Sequence, residues 1–314
     1  MYIGIDLGGT NIATGIVDED GNILHKLSIP TGASRHYTKI VETMANSAIM
    51  VCSEAGVDIG SITSIGVGSP GSCDFENGVL LYANNINFKN VPIRTEIQKY
   101  IDLPVFLEND ANVAALAEYY TLGKQMKCFI AITLGTGVGG GIILDGHIYS
   151  GFNGAAGELG HMVITKDGHP CTCGRKGCWE TYASATALVR LTREVMQQNP
   201  DSTMWQIANG DIGRVGGKTS FFAAKQGDKA GQQVVDQYLQ YVSVGIANLI
   251  NIFQPEMLVI GGGVSKEGDY LLDPIKKYIK NETYNSSGME TTKLGIATLG
   301  NDAGIVGAAF LGKA

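Results

Sequence analysis

No apolar stretch of this chain reaches the roughly 20 residues that a helix needs to cross a bilayer. No run of lysine or arginine stands out, and the net charge is −7, so the electrostatic footprint of nucleic-acid binding is missing. An acidic balance of this kind favours solubility. Cysteine is sparse: of six residues, Cys52, Cys73 and Cys128 are scattered and read as small core side chains. The P-loop spacing that ends in Gly-Lys-Ser/Thr is absent. No secretory pattern opens the chain, since Met1 leads straight into the strand pattern Tyr2-Ile3-Gly4-Ile5-Asp6. The expectation is a cytoplasmic protein that binds neither membrane nor nucleic acid.

What is present is an ordinary globular balance, 17% charged and 44% hydrophobic, over 314 residues, a length comfortable for two domains. The 43 glycines gather in short loops after apolar runs, where they read as tight turns. Residues 2–7, 13–17 and 23–29 read as three short strands joined by hairpin signals. Ile40, Met44, Ala48 and Val51 recur at helical spacing over 36–55, with Gly56 as the stop. A strand over 62–68, a helix over 91–100, a strand over 104–107 and a helix over 111–120 come next. Helices are expected at 183–197, 228–253, 270–281 and 303–311, and strands at 256–260 and 293–299. Strands alternating with helices argue for an α/β protein, and the early hairpins make its sheets mixed.

One pattern returns. Ile3-Gly4-Ile5-Asp6-Leu7-Gly8-Gly9-Thr10 is echoed by Phe129-Ile130-Ala131-Ile132-Thr133-Leu134-Gly135-Thr136-Gly137, and each is followed by a second strand and an Asp-Gly or Asp-x-Gly turn. Two copies of one strand–turn–strand unit point to two similar domains. Because a strand and not a helix follows each turn, neither is a dinucleotide fingerprint. A β-turn with glycine supplying positive φ would account for either copy alone. Two related turns, each after a buried strand, suggest backbone N–H groups that approach phosphate, with Asp6 placed to hold Mg²⁺ directly or through water.

Two polar clusters carry further chemistry. Phe106-Leu107-Glu108-Asn109-Asp110-Ala111-Asn112 joins a strand to a helix. Asn109 or Asp110 could cap that helix, and an Asp there could equally take the proton of an attacking hydroxyl. Cys171, Cys173 and Cys178 lie within eight residues and would need one more ligand for a closed tetrahedral Zn²⁺ site; spacing leaves both His161 and His169 open. Glu158 and Glu180 flank the cluster and offer carboxylate hydrogen-bond acceptors.

Taken together, Asp6–Asn11, Glu108–Asn112, Gly135–Gly141, Gly157–His161, Cys171–Glu180 and Val259–Gly263 resemble the ROK family of sugar kinases and repressors over nearly the whole chain. That resemblance implies a two-domain actin-like ATPase (ribonuclease H-like) fold of α/β class, with mixed sheets and a cleft between the domains. It implies an N-terminal domain of residues 1–118 plus 303–314 and a C-terminal domain of 119–302. The implied activity is ATP-dependent phosphorylation of a hexose on its 6-hydroxyl, with Asp110 as general base and Mg-ATP as donor. Glucose is the expected sugar, because Cys171–Ser184 and Leu81–Asn85 look like the glucose-phosphorylating members. Fructose, mannose, allose and N-acetylated amino sugars are the alternatives. Gly71, Asn109, Asp110, Glu158, His161 and Glu180 are carried over as sugar contacts. Asp6, Gly8, Gly9, Thr10, Asn11, Thr136 and Gly137 are carried over for the phosphates of ATP, and Gly261, Gly262 and Gly263 for its base. The family pattern selects His161 to join Cys171, Cys173 and Cys178 on a structural Zn²⁺. The resemblance also suggests a homodimer or homotetramer. Family repressors carry a helix-turn-helix before the first turn; here Asp6 lies almost at the start and no basic helix precedes it, which favours the enzyme over the sugar sensor.

Overall fold

The computed structural model describes residues 1–122, 125–284 and 290–313, with Asn84 described by its backbone alone. Strands β1 (Tyr2–Leu7), β2 (Asn11–Val17) and β3 (Ile23–Pro30) form an antiparallel meander, with Leu7 opposite Ile12 across the first Gly turn. Helix α1 (Tyr37–Ala55) buries Ile40, Met44, Ala48 and Val51 as their spacing predicts, and Gly56 ends it at φ 67°. Strand β4 (Ile65–Ser69) then lies parallel to β1.

Between β4 and the next strand of that sheet stands a small antiparallel sheet that the amino-acid pattern does not announce. It consists of β5 (Ser72–Asp74), β6 (Val79–Ala83) and β7 (Phe88–Val91). The helix expected over 91–100 is shorter, α2 (Ile93–Gln98), because Phe88–Val91 pairs with β6 and Pro92 intervenes. Strand β8 (Val105–Asn109) runs parallel to β4 and passes directly into α3 (Asp110–Leu122).

The pattern repeats with β9 (Cys128–Leu134), β10 (Val138–Leu144) and β11 (His147–Ile148). Helices α4 (Glu180–Ala183), α5 (Ala185–Gln198), α6 (Thr203–Ile207), α7 (Thr219–Lys225) and α8 (Lys229–Phe253) come next. Strand β12 (Met257–Gly261), helix α9 (Asp269–Glu282), strand β13 (Lys293–Ile296) and helix α10 (Ala303–Phe310) complete the chain. The two large sheets have matching orders, β3-β2-β1-β4-β8 and β11-β10-β9-β12-β13. Each begins with antiparallel neighbours and ends on a parallel pair, β4–β8 and β12–β13. The internal echo of the sequence is therefore an echo of topology.

Two compact units emerge. The first comprises Met1–Phe129, Gly141–Gly157 and the chain from Thr298 onward; the second comprises Ile130–Gly140 and Glu158–Ala297. In the first, the core gathers Ile3, Ile5 and Leu7 of β1 with Ile65 and Val67 of β4 and the buried face of α1. Helix α10 lies so close to β1 and β4 that a Cβ at Gly4 or Gly66 would run into the carbonyls of Ile305 and Ala308. In the second, Asp228 caps α8 and also accepts from the Thr203 amide at 2.7 Å, which ties α6 to it. Among the described residues no helix is long and apolar enough to cross a membrane.

Candidate active site

In the first unit, the strand-to-helix joint sets the geometry. The Asn109 side-chain oxygen accepts from the Ala111 amide at 2.9 Å and the Asn112 amide at 3.4 Å, so it caps α3. Its amide nitrogen donates to the Gly71 carbonyl at 3.0 Å. Capping and positioning are thus compatible in one residue. Gly71 sits at φ 94°, and a Cβ there would meet the Tyr82 carbonyl. Glu108 is buried and accepts from the Asn109 amide at 2.7 Å, from Asn112 Nδ2 at 3.1 Å and from Ser150 Oγ at 3.3 Å. Its two oxygens are committed to the scaffold around Asn109. Asp110 opens α3, with Oδ1 accepting from the Ala111 amide at 2.8 Å.

Asp6, the last but one residue of β1, packs on the first turn of α10: a Cβ at Gly304 would stand 2.5 Å from Asp6 Oδ2. Burial, and then the charge of Asp110, push the Asp6 carboxyl up to about 6. A carboxylate whose charge is disfavoured by burial and by a second carboxylate nearby suits a divalent cation. The turn after Asp6 is closed by Gly8 N–H donating to the Asn11 carbonyl at 2.9 Å. Buried Thr31 holds it from outside, through its hydroxyl to the Gly8 carbonyl at 2.7 Å and its amide to the Thr10 carbonyl at 2.8 Å. Sequence reasoning missed Thr31, which carries no local signal.

In the second unit, the Gly135–Gly137 turn is closed by a 3.0 Å bond from the Gly135 amide to the Gly137 carbonyl. Glu180, at the start of α4, accepts from the Val138 amide at 2.9 Å, and its carboxylate lies where a Cβ of Gly137 would be. Helix α5 is tied to the same turn: the Ala185 amide donates to the Gly135 carbonyl at 2.8 Å and the Thr186 hydroxyl to the Thr136 carbonyl at 2.7 Å. Gly262, at φ 87°, crosses the end of β9, where a Cβ would stand 2.5 Å from the Leu134 carbonyl. An open groove of about 550 Å³ beside the turn is lined by Thr136, Ala185, Thr186, Val189, Arg193 and Gln197 among others. The second turn, the Gly261–Gly263 loop and this groove thus come together; the α5 residues carry no motif that would have pointed to them.

His161, Cys171, Cys173 and Cys178 bring their ligand atoms within 4.8 Å of one another. Cys173 Sγ and Cys178 Sγ are 3.7 Å apart, and Cys171 Sγ is 3.5 Å from His161 Nδ1. Tetrahedral thiolates at ~2.3 Å from a metal stand about 3.8 Å from each other, so the set has the shape of a closed four-ligand metal site. His169 is engaged elsewhere: Arg190 Nη1 donates to its Nε2 at 3.0 Å, and its ring packs on Tyr182. The other nitrogen of His161, Nε2, lies 4.0 Å from Glu158 Oε2. Trp179 anchors this loop; it is fully buried, donates its indole N–H to the Tyr241 carbonyl at 2.9 Å, and fills the space above Gly245 of α8.

The doubled sheet order, with a glycine turn after the first strand of each copy, defines the actin-like ATPase class. Within it, the ROK family profile matches residues 2–314. The chain is 39% identical to a glucokinase of Halalkalibacterium halodurans over 315 residues, covering 99% of this chain and 94% of that protein. It superposes on a ROK family glucokinase of Streptomyces griseus, solved with glucose and AMPPNP, with a TM-score of 0.80 and 36% identity, covering 99% and 98% of the two chains. A ROK family transcriptional regulator, homologous to the E. coli MLC protein, gives a TM-score of 0.85 at 27% identity; there 99% of this chain covers 77% of the regulator. The chain belongs to the ROK family.

Proposed function

We propose that this protein is a glucokinase, transferring the γ-phosphoryl group of ATP to the 6-hydroxyl of glucose. The observation that carries the reading is the pair Asp6 and Asp110: Asp6 stands last but one in β1, just before the first glycine turn, Asp110 opens α3, and the charge of Asp110 adds to burial in pushing the Asp6 carboxyl up to about 6. Phosphoryl transfer asks little of a protein beyond positioning and charge neutralisation. Asp110 takes the proton from the attacking hydroxyl, and Asn109 and the Gly71 loop, linked by a 3.0 Å bond, orient the sugar beside it. Mg²⁺, held by Asp6 and the phosphates, would supply charge neutralisation. In the first unit the Gly8–Asn11 turn has backbone N–H groups suited to phosphate; in the second the Thr136–Gly137 turn is suited likewise, and Gly261–Gly263 with the α5 groove suits the base. Family identity with glucokinases at 36–39% supports glucose over other hexoses.

Zn²⁺ is the metal that suits three cysteines and a histidine, and with all four positions filled by protein its role is structural. Binding through Nδ1 leaves the proton of His161 on Nε2, facing the Glu158 side. Glu158, His161 and Glu180 then meet the sugar from a loop that the metal makes rigid. Three free clustered thiols suit a reducing cytoplasm. Assembly as a homodimer or homotetramer is part of the same reading.

The test is ADP release with Mg-ATP against a panel of sugars, for the wild type and Asp110→Asn. Turnover on glucose that falls at least ~100-fold in the variant is the expected result. Turnover only on an N-acetylated sugar would move the substrate. Tight sugar binding without turnover would replace the kinase by a sugar sensor.

A further inference from the structure

Glu118 is a carboxylate on α3, 2% exposed, and among the described residues no cation pairs with it. Its charge is met entirely by one short stretch of chain, the two residues that lead into the last turn. Oε1 accepts from the Thr298 amide at 2.8 Å and the Leu299 amide at 2.8 Å. Oε2 accepts from the Thr298 amide at 2.9 Å and from the Thr298 hydroxyl at 3.0 Å. A buried charge without a counter-ion is costly, and only full hydrogen bonding makes it tolerable. Packing alone would be served as well by an apolar side chain of similar volume. A carboxylate here therefore provides something that packing does not: a fixed place for two backbone amides.

Thr298 and Leu299 run into the Gly300–Asp302 turn, which is held on its other side by Lys26 Nζ, 2.6 Å from Asp302 Oδ1. The turn delivers α10, whose second residue, Gly304, lies against the Asp6 carboxylate. Glu118 itself is on the helix whose first residue is Asp110. Two turns further on than Asp110, it joins α3 to the start of α10. A second point of contact lies between, where a Cβ at Gly307 would collide with the Val113 carbonyl. Helices that touch backbone to backbone transmit displacement with little loss, because there is no side chain to yield.

We propose that Glu118 is a positioning residue: by clamping the Thr298 and Leu299 amides it sets α10, and with it Asp6, in register with Asp110 at the head of its own helix. The assignment rests on the roles proposed above for Asp6 and Asp110. A displacement of one carboxylate relative to the other alters the distance between the attacking hydroxyl and the phosphoryl group, while the sugar contacts at Asn109 and Gly71 stay in place.

Two variants separate reach from charge. Glu118→Asp keeps the charge but is one methylene too short to hold both amides. Glu118→Gln loses the charge but keeps Oε1 as the acceptor for both amides; its N–H₂ takes the place of Oε2, giving up that atom's bond from the Thr298 amide, and can donate to the Thr298 hydroxyl. Steady-state kinetics are measured on glucose and ATP with free Mg²⁺ varied, at a temperature where thermal melts show each protein folded. Glu118→Asp should lower kcat about 10- to 100-fold, as an ångström-scale misplacement does. It should also raise the Mg²⁺ needed for half-maximal rate, with the KM for glucose changing less than about 3-fold. Glu118→Gln should stay within about 3-fold of wild type in every parameter. Wild-type kcat in Glu118→Asp, even with a lowered Tm, or a loss as deep in Gln as in Asp, would overturn the proposal. Should Glu118→Asp not fold, Thr298→Ala takes its place, and an unchanged kcat and Mg²⁺ dependence there would overturn it likewise. Asp6→Asn and Asp110→Asn run alongside: if they retain activity, the catalytic reading fails, whatever Glu118 does.

Discussion

The side-chain amide of Asn109 donates to the carbonyl of Gly71 across 3.0 Å, joining the last residue of β8 to the loop that follows β4. These two elements are neighbours in the sheet, with Ser69 level with Asn109. The bond holds the loop against the strand-to-helix joint that carries Asp110. Gly71 is fixed at φ 94°, a conformation that costs any other residue energy, and the Tyr82 carbonyl occupies the position of a Cβ. Gly71→Ala must therefore shift the carbonyl that Asn109 grips. The expected outcome is a KM for glucose raised about 10-fold or more, with the KM for ATP little changed, as loss of a contact made equally in ground and transition states requires. Equal effects on both substrates in initial-rate kinetics would place this loop outside the sugar site.

Asp6 gives a pH signature in the ligand-free, magnesium-free protein. Its carboxyl is raised from 3.8 to about 6, chiefly by burial and then by Asp110. A raised pKa means that the folded state binds the proton more tightly than the unfolded one. The group's contribution is thus fully present below about pH 4, the unfolded value, and is lost as pH rises through about 6. Asp6→Asn removes this loss. The variant should melt higher than wild type at pH 7.5, by an amount worth no more than about 3 kcal/mol, and the difference should shrink toward pH 4.5. Thermal melts at the two pH values check it; a difference independent of pH would mean that Asp6 is not strained by its surroundings.

Gly245 and Trp179 offer a test of how the Cys171–Cys178 loop, the proposed metal site, is supported. The indole ring occupies the space that a Cβ at Gly245 would need, and Trp179 lies next to Cys178. Gly245→Ala should destabilise the fold by about 1–3 kcal/mol, the range for overpacking a tight core. Urea denaturation measures the loss. Because the indole cannot move without the neighbouring thiol, zinc should also leave the variant faster in a chelator chase; wild-type release would separate the two features.

Much of this architecture is legible in the amino-acid order because its marks are local. Asp6–Thr10 and Thr133–Gly137 each put an apolar strand before a glycine turn, and that repeat became two sheets of matching order. The α1 face and its Gly56 stop follow from helical spacing alone. The small sheet of β5, β6 and β7 was hidden because its strands are three to five residues long and bury no regular alternation. Helices α6 and α7, five and seven residues long, were too short to impose a period. Other features were hidden by distance. Glu118 meets partners 180 and 181 positions away, and nothing near it announces them. The choice between His161 and His169 could not be made from spacing, since both stand near Cys171. In the structure the His161 ligand atom lies within 4.8 Å of the three thiols, while Arg190 engages His169, and that arrangement supports His161.

Removing the metal should separate stability from chemistry. Cys171→Ser exchanges a soft thiolate for a hydroxyl that does not ligate Zn²⁺ well, at a position whose Sγ lies 3.5 Å from His161 Nδ1. The wild type should carry one zinc per chain by elemental analysis, and the variant much less. Without a metal at the cluster, the His161 ring loses the tie that would turn Nδ1 to the cysteines and Nε2 toward Glu158. The sugar contacts proposed for Glu158 and His161 should loosen, while Asp6, Asp110 and the first turn belong to the other compact unit and keep their own supports. The KM for glucose should therefore rise about 10- to 100-fold, the usual toll for disturbing a metal's surroundings, with a smaller change in the KM for ATP. The melting temperature should fall as well, since binding energy at a closed site is folding energy. A variant that loses zinc and stability yet keeps its KM for glucose would make the cluster a staple of the fold alone and remove His161 from the sugar site.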